Sequence, residues 1–124
     1  MKRLISIIAI TLGLVGCVII PSFRDDNESA SIITIVSDIN RIDCTNGFYS
    51  GLYHAQREAV WLITYSSIRG SKDVTSMVSN ILNTIDPFVS KARTGQMTVA
   101  YCTLKKQILQ KDTQLTARSL LGRF

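Results

Sequence analysis

Apolar residues recur at helical spacing along residues 31–121, and this periodicity predicts four helical segments. The first segment begins near Ser31, with Ser29 or Ser31 in a position to cap its first turn. The β-branched run at residues 32–36 would also suit a short strand. Polar side chains off the apolar stripe favour the helix, and the stripe itself consists of Ile32, Ile35, Val36, Ile39 and Ile42.

The second predicted helix runs from Phe48 to about Ile68, after a turn over residues 43–47. Its apolar stripe is continuous and contains Phe48, Leu52, Ala55, Ala59, Leu62 and Ile63. The Arg69-Gly70 pair is typical of a helix end, because glycine readily adopts the left-handed conformation that follows the last turn.

A third helix is predicted to follow, with Ser71 as its N-cap. Its buried face should contain Val74, Met77, Val78, Ile81, Leu82 and Ile85. Proline lacks an amide hydrogen and clashes with the preceding helical turn, so the Asp86-Pro87 pair is expected to stop or kink this helix. Residues 88–93 would then form a short extra turn.

The fourth predicted helix runs from near Gln96 to beyond Leu109. One side of it is lined by Met97, Ala100, Tyr101, Leu104 and Ile108, and the packing is extended by Leu115, Leu120 and Leu121. Four helices with short connections predict an all-α fold, a small antiparallel helical bundle over residues 31–121.

The first seventeen residues have a different pattern. A positively charged start precedes an apolar run at residues 4–15, and a small residue then precedes a cysteine. These are the parts of a secretory signal peptide. The tetrapeptide Leu14-Val15-Gly16-Cys17 resembles the lipobox of bacterial lipoproteins. The resemblance implies that residues 1–16 are removed and that Cys17 becomes the first mature residue, with a diacylglycerol and an N-acyl chain attached.

An uncleaved transmembrane anchor over residues 4–20 is the alternative. A helix that crosses the hydrocarbon core needs about 20 apolar residues, and this run is slightly shorter and is interrupted by Ser6, Thr11, Gly13 and Gly16. Residues 17–30 become polar and charged without periodicity, which predicts a lipidated N-terminus followed by a flexible tether. Val18 stands where the family's sorting rule associates Asp with inner-membrane retention, so the resemblance implies the outer membrane, with the domain in the periplasm.

Cys44 and Cys102 remain once Cys17 is assigned to lipid. In an oxidising periplasm an even pair predicts a disulfide. Closing the long loop between them would contribute about 4 kcal/mol on the chain-entropy model. Two separate buried thiols are the alternative.

Charge and motifs exclude several classes of function. The formal net charge is +5, and loss of Lys2 and Arg3 with the signal leaves 5 − 2 = +3, which is too little to predict nucleic-acid binding. No phosphate loop or cluster of metal ligands is present in the sequence. His54 and Glu58 are four residues apart, but a solvated helix surface explains them better than an acid–base pair. We expect no enzymatic activity, no small-molecule substrate, and no cofactor apart from the acyl chains.

An aromatic row is the most informative feature of the second helix. Its members are spaced by four, so the row drifts about 40° around the helix at each step; they are Tyr49, Tyr53, Arg57, Trp61 and Tyr65. Aromatic residues and arginine are enriched at protein interfaces, which predicts a partner-binding face formed by Tyr53, Arg57, Trp61 and Tyr65. The alternative is that the helix is central, packs neighbours on both sides, and stacks Arg57 on an aromatic ring.

A basic bias at the C-terminal end comes from Lys105, Lys106, Lys111, Arg118 and Arg123. These cations would suit anionic head groups or an acidic partner, or simply form the solvated face of a helix.

The architecture is similar to that of pilotins, small lipoproteins that guide secretin subunits to the outer membrane by gripping a helix in an apolar groove. The resemblance implies a non-catalytic assembly factor whose envelope partner is a secretin. The alternative is a phage- or plasmid-encoded exclusion lipoprotein whose envelope partner is an outer-membrane receptor that it blocks.

Overall fold

The computed structural model describes residues 25–122. The predicted signal peptide, Cys17 and most of the predicted tether lie outside the described residues. Within them the chain forms four α-helices: α1 (Asp26–Asn40), α2 (Ser50–Arg69), α3 (Lys72–Thr94) and α4 (Val99–Leu121). The predicted all-α helical bundle is confirmed, and this part of the chain contains no strand.

Each helix packs against two others in a closed ring. Helix α1 contacts α2 and α4, and α3 contacts the same two helices. Because short connections join successive neighbours, the packed neighbours run antiparallel. Helices α2 and α4 lie at opposite corners of the bundle, so their outer faces point away from each other. The core between the helices contains most of the predicted apolar positions, among them Ile32, Ile35, Ile39, Leu52, Leu62, Val78, Ile81 and Ile85.

Helix α1 begins five residues earlier than predicted. Asp25 is its N-cap, and the Oδ1 atom of Asp25 accepts a hydrogen bond of 2.9 Å from the backbone N–H of Glu28. Acidic residues in a first turn also interact favourably with the helix dipole. Ser29 and Ser31 are buried and do not cap the helix. Residues 26–30, which the sequence placed in the tether, are therefore helical.

The connection between α1 and α2 is a tight loop. Asp43 and Phe48 exchange two backbone hydrogen bonds of 3.0 Å, which confirms the predicted turn. The side chain of Phe48 is exposed and precedes α2, so its predicted place in the core stripe is wrong. Gly51 is buried where α2 meets the end of α1, and a Cβ there would clash with the backbone oxygen of Asp38.

The ends of α2 and α3 follow the predicted turn chemistry in part. Gly70 has φ 76°, and its N–H bonds to the carbonyl of Ser66, which confirms the predicted end of α2. Ser71 is the N-cap residue of α3, but its side chain makes no capping hydrogen bond. The backbone N–H of Val74 bonds instead to the carboxylate of Asp73 at 2.8 Å.

Helix α3 continues past Pro87 to Thr94, so the predicted stop is wrong. The residues after the proline supply the reason, because Phe88 and Val89 are both buried in the core. Burying one such side chain contributes about 1.5–3 kcal/mol, which is comparable to the cost of about 3 kcal/mol for a proline inside a helix. The two burials together outweigh the local penalty.

The predicted disulfide is confirmed. It joins Cys44 in the α1–α2 connection to Cys102, the fourth residue of α4, with Cα atoms 5.6 Å apart. Helix α4 begins at Val99, where Thr98 caps it by accepting a hydrogen bond of 3.1 Å from the N–H of Tyr101. No helix among the described residues is long and apolar enough to cross a membrane.

The predicted orientation of α4 is wrong, and the disulfide shows why. Cys102 is fully buried, and the buried face of α4 contains Cys102, Leu109, Thr113 and Leu120. With 100° per residue, Leu104 lies about 200° from Cys102 around the helix. The apolar side predicted from Leu104 and Ile108 is therefore exposed, as is Leu115, whereas Leu120 packs in the core as predicted.

Candidate protein-binding surface

The four predicted interface residues lie on α2 and cross its outer side diagonally. Tyr53 and Tyr65, at the ends of the row, are half-buried, whereas Arg57 and Trp61 between them are exposed. The drift of about 40° per step carries the row from the side of α2 that faces α3 to the side that faces α1. The row is therefore not a single patch of uniform exposure.

Tyr53 belongs to the contact between α2 and α3. Its side chain packs against the core, and the guanidinium of Arg93 from α3 lies over its ring, 5.6 Å from the centroid. Nearby, the side-chain amide of Gln56 donates a hydrogen bond of 2.9 Å to the carboxylate of Asp86. Tyr53 therefore holds two helices together at this end of the row.

Tyr65 connects α2 to the start of α1. Its hydroxyl donates to the Oδ2 atom of Asp25 at 3.2 Å and accepts from the side-chain amide of Asn27 at 3.0 Å. The same carboxylate oxygen pairs with Arg69 at 2.8 Å. The N-terminal end of α1 is thus tied to the last turns of α2 by three polar contacts, two to the N-cap Asp25 and one to Asn27.

Trp61 and Arg57 are the accessible residues of the row. The Trp61 side chain is 46 % exposed and stacks on the ring of Tyr65, with centroids 4.9 Å apart. Within residues 25–122, no hydrogen bond or ion pair engages the Arg57 guanidinium. The indole is therefore held in place while the neighbouring cation remains available to a carboxylate.

Three further exposed residues extend this surface along α2: Val60, Thr64 and Ile68. They follow Arg57 by three, seven and eleven residues, so they share its side of the helix. Ile68 is 82 % exposed. We call Arg57, Val60, Trp61, Thr64 and Ile68 the α2 outer face. The aromatic spacing predicted only Arg57 and Trp61 of this set, because Val60, Thr64 and Ile68 do not belong to the aromatic row.

The structure confirms part of the alternative interpretation of the row, and the partner-binding face stays a prediction. Helix α2 does pack against neighbours on both sides, as the alternative predicted. The arginine that covers an aromatic ring is Arg93, however, and Arg57 stays on the surface. The predicted interface residues therefore divide into two that position the surface, Tyr53 and Tyr65, and two that are accessible, Arg57 and Trp61.

Glu58 contributes to the contact between α1 and α2. It accepts a hydrogen bond of 2.6 Å from the hydroxyl of Ser31. Among residues 25–122, no hydrogen bond joins it to the exposed His54. The buried carboxylate of Glu28 lies 3.5 Å from Arg69 in the same region. In this part of the chain no group of three or more His, Cys, Asp or Glu side chains is placed to hold a metal ion.

An open cleft of about 540 Å³ beside the disulfide was a second candidate site. Its cations are already engaged, since Lys106 donates a hydrogen bond of 2.6 Å to the carbonyl of Ile42 and Arg41 pairs with Asp38. The backbone and side chain of Asn46 donate hydrogen bonds to the carboxylate of Asp43. These bonds lower the pKa of Asp43 and hold its carboxylate within its own turn. The α2 outer face is the stronger candidate, because its cation has no partner in the described part of the chain.

Comparison of the chain with protein-family models, with curated proteins and with solved structures finds no match. The geometry of the α2 outer face and the N-terminal sequence are therefore the observations that bear on function.

Proposed function

We propose that this chain is a lipid-anchored, non-catalytic protein-binding factor of the outer membrane, and that it holds an envelope protein through the α2 outer face. One observation carries the proposal: the exposed Trp61 is fixed by stacking on Tyr65 and lies one turn from Arg57, which has no partner among residues 25–122. Tryptophan and arginine are among the residues most enriched at interface hot spots. An indole that is already ordered also loses little conformational entropy when a partner covers it.

The chemistry of the α2 outer face suggests the kind of partner. Trp61, Val60 and Ile68 offer apolar area along more than two helical turns, and Arg57 offers one cation at the end. An amphipathic helix fits such a ridge when its apolar residues face the ridge and a carboxylate lies opposite Arg57. A secretin subunit or another export component with such a helix would make the protein pilotin-like.

The lipobox resemblance supports a membrane location for this surface. Eight residues separate Cys17 from Asp26, the first residue of α1. An extended chain of this length spans at most about 30 Å. A lipidated Cys17 would therefore keep the bundle close to the leaflet, where the α2 outer face can meet partners that are embedded in the same membrane.

Capture from detergent-solubilised envelopes tests the proposal. The full chain should capture an envelope protein, and the variant Arg57→Ala/Trp61→Ala should lose it while its melting temperature changes little. The matched control, Phe48→Ala/Lys72→Ala, removes one exposed aromatic and one exposed cation elsewhere and should retain the partner. Equal capture by both variants would overturn the proposed surface.

The identity of the captured protein separates the two functions. A secretin or another export component supports an assembly factor. A receptor porin or transporter supports the exclusion lipoprotein that blocks an entry step. A large fall in melting temperature for the Arg57→Ala/Trp61→Ala variant would instead assign these residues to packing.

A further inference from the structure

Helix α4 carries a second apolar stripe, which no other described helix covers. Leu104, Ile108 and Leu115 are 55 %, 38 % and 53 % exposed. They lie on the side of α4 away from the core residues Cys102 and Leu109. Exposed apolar residues that line up on one helix of a small bundle are typical of a binding surface.

The spacing of this stripe is that of a coiled-coil seam. Tyr101, Leu104, Ile108, Lys111, Leu115 and Arg118 are separated alternately by three and four residues. The three aliphatic residues fall within about 40° of the helix circumference. A helix that lies on a bilayer has a much wider apolar face, so the narrow stripe favours another helix as its occupant.

We propose that a second copy of this chain covers the stripe, with α4 packed antiparallel against α4 of the other copy. When Leu104 lies level with Leu115 of the second copy, Ile108 lies level with Lys111 of that copy. The aliphatic stem of Lys111 can then cover Ile108 while its ammonium group reaches water. The same contacts occur twice, because the two copies are related by a twofold axis.

Charges beside the stripe match this orientation. Lys105 and Asp112 lie on the same flank of α4, and Asp112 is the only acidic residue of the helix. An antiparallel twofold axis brings this flank onto the same flank of the second copy. Lys105 then lies about 3 Å along the axis from Asp112 of the second copy, which is within reach of an ion pair. Two such pairs form in the dimer.

A parallel pair would have the opposite charge pattern. Lys111 would meet Lys111 of the second copy within the seam, and Arg118 would meet Arg118. Like charges at the same level of two helices repel each other. The sequence of α4 therefore favours the antiparallel pair. Because α4 is at the opposite corner of the bundle from α2, the dimer leaves both α2 outer faces open.

Cysteine cross-linking of the full chain in detergent tests the register. A mixture of the Leu104→Cys and Leu115→Cys variants, treated with a short thiol cross-linker, should give a mixed dimer. Each variant alone should give far less, because its two new thiols would be about 16 Å apart along the helix axis. The unsubstituted chain controls for the native cysteines. Strong cross-linking of Leu104→Cys alone, or none in the mixture, overturns the proposal.

Charge exchange tests the ion pairs through sedimentation equilibrium of the full chain in detergent. Lys105→Glu should weaken the dimer about fivefold, because two pairs at the edge of the interface become repulsive, and Lys105→Glu/Asp112→Lys should restore it. Leu104→Glu/Leu115→Glu should weaken it about 100-fold or more, whereas Ile68→Glu on α2 should not. Thermal unfolding checks that each variant is folded.

Two further outcomes would overturn the dimer. The first is a chain that remains monomeric up to about 1 mM, a concentration that corresponds to about 4 kcal/mol of binding free energy. The second is a Leu104→Glu/Leu115→Glu variant that sediments like the unsubstituted chain but binds phosphatidylglycerol vesicles less well. That second result would assign the stripe to a lipid surface.

Discussion

The indole of Trp61 lies nearly flat on the ring of Tyr65, with centroids 4.9 Å apart and planes 12° from parallel. The hydroxyl of Tyr65 in turn bonds to Asp25, the N-cap of α1. The position of the exposed Trp61 on α2 is therefore linked to the point where α1 begins. The ring of Tyr65 supports the indole, and its hydroxyl supports the helix cap, so the two contributions can be separated by substitution.

Tyr65→Phe should keep the stack and lose only the hydroxyl. We expect the free energy of unfolding to fall by about 1–3 kcal/mol, because the hydroxyl makes two hydrogen bonds, with partner capture unchanged. Tyr65→Ala should lose both stability and partner capture, because the indole of Trp61 then has no ring to stack on. Urea unfolding and envelope capture measure the two effects. Full capture by Tyr65→Ala would show that the stack does not orient the indole.

Cys17→Ser should abolish acylation and processing. If the lipobox is used, the unsubstituted chain should incorporate labelled palmitate and fractionate with the outer membrane, and the variant should do neither. Each acyl methylene contributes about 0.8 kcal/mol of membrane binding, so several chains hold a protein firmly. Ser90→Ala, an exposed substitution far from the motif in the sequence, serves as the control. A variant that stays in the membrane without label would support the uncleaved anchor over residues 4–20.

The spacing of apolar residues predicted the core because a helix that buries one face repeats its apolar residues every three or four positions. Ile32, Ile35 and Ile39 repeat at helical spacing, and all three are fully buried. The start of α1 was missed because Asp25, Ser29 and Ser31 are all chemically able to cap a helix. The choice among them depends on Tyr65 and Arg69, which bond to Asp25 from about forty residues away along the chain.

The exposed stripe of α4 could not be predicted from the sequence, because periodicity does not tell which apolar face of a helix is buried. Leu104 and Ile108 have the periodicity of a buried face, and hydrophobicity alone assigns them to the core. The disulfide turns Cys102 inward, and this places Leu104 on the opposite side of the helix. Similarly, the aromatic row could be found from its spacing, but the exposure of Trp61 depends on which helices flank α2.

Loss of the disulfide should destabilise the bundle strongly. Cys44→Ala/Cys102→Ala should lower the free energy of unfolding by about 4 kcal/mol, because the unfolded chain regains the freedom of a long loop. Reduction of the unsubstituted chain should have a similar effect in urea unfolding. Non-reducing mass spectrometry gives the direct check, and free thiols at both positions would contradict the bond.

The charge of Asp43 should stabilise the α1–α2 connection in a pH-dependent way. Its pKa lies below the ordinary value of 3.8, chiefly because the backbone and side chain of Asn46 donate to the carboxylate. A carboxylate with a lowered pKa in the folded state stabilises the fold above its unfolded pKa, and this contribution is lost as the pH falls through the folded value.

The difference in unfolding free energy between the unsubstituted chain and Asp43→Asn should therefore be constant above about pH 5 and shrink below about pH 4. NMR titration of the Asp43 carboxylate in Asn46→Ala should give a higher pKa, because one donor is lost. An unchanged pKa in that variant would show that the side chain of Asn46 does not stabilise the charge.

Pro87 should be replaceable with a gain in stability. It lies within α3, where it lacks the N–H that a helix interior uses, and its side chain is exposed. Pro87→Ala removes an intrinsic penalty of about 3 kcal/mol, offset in part by a more flexible unfolded chain, so we expect a net gain of about 1–2 kcal/mol. Ser90→Ala, an exposed change in the same helix, should have little effect in thermal unfolding. A loss of stability in Pro87→Ala would mean that the proline shapes α3 so that Phe88 and Val89 reach the core.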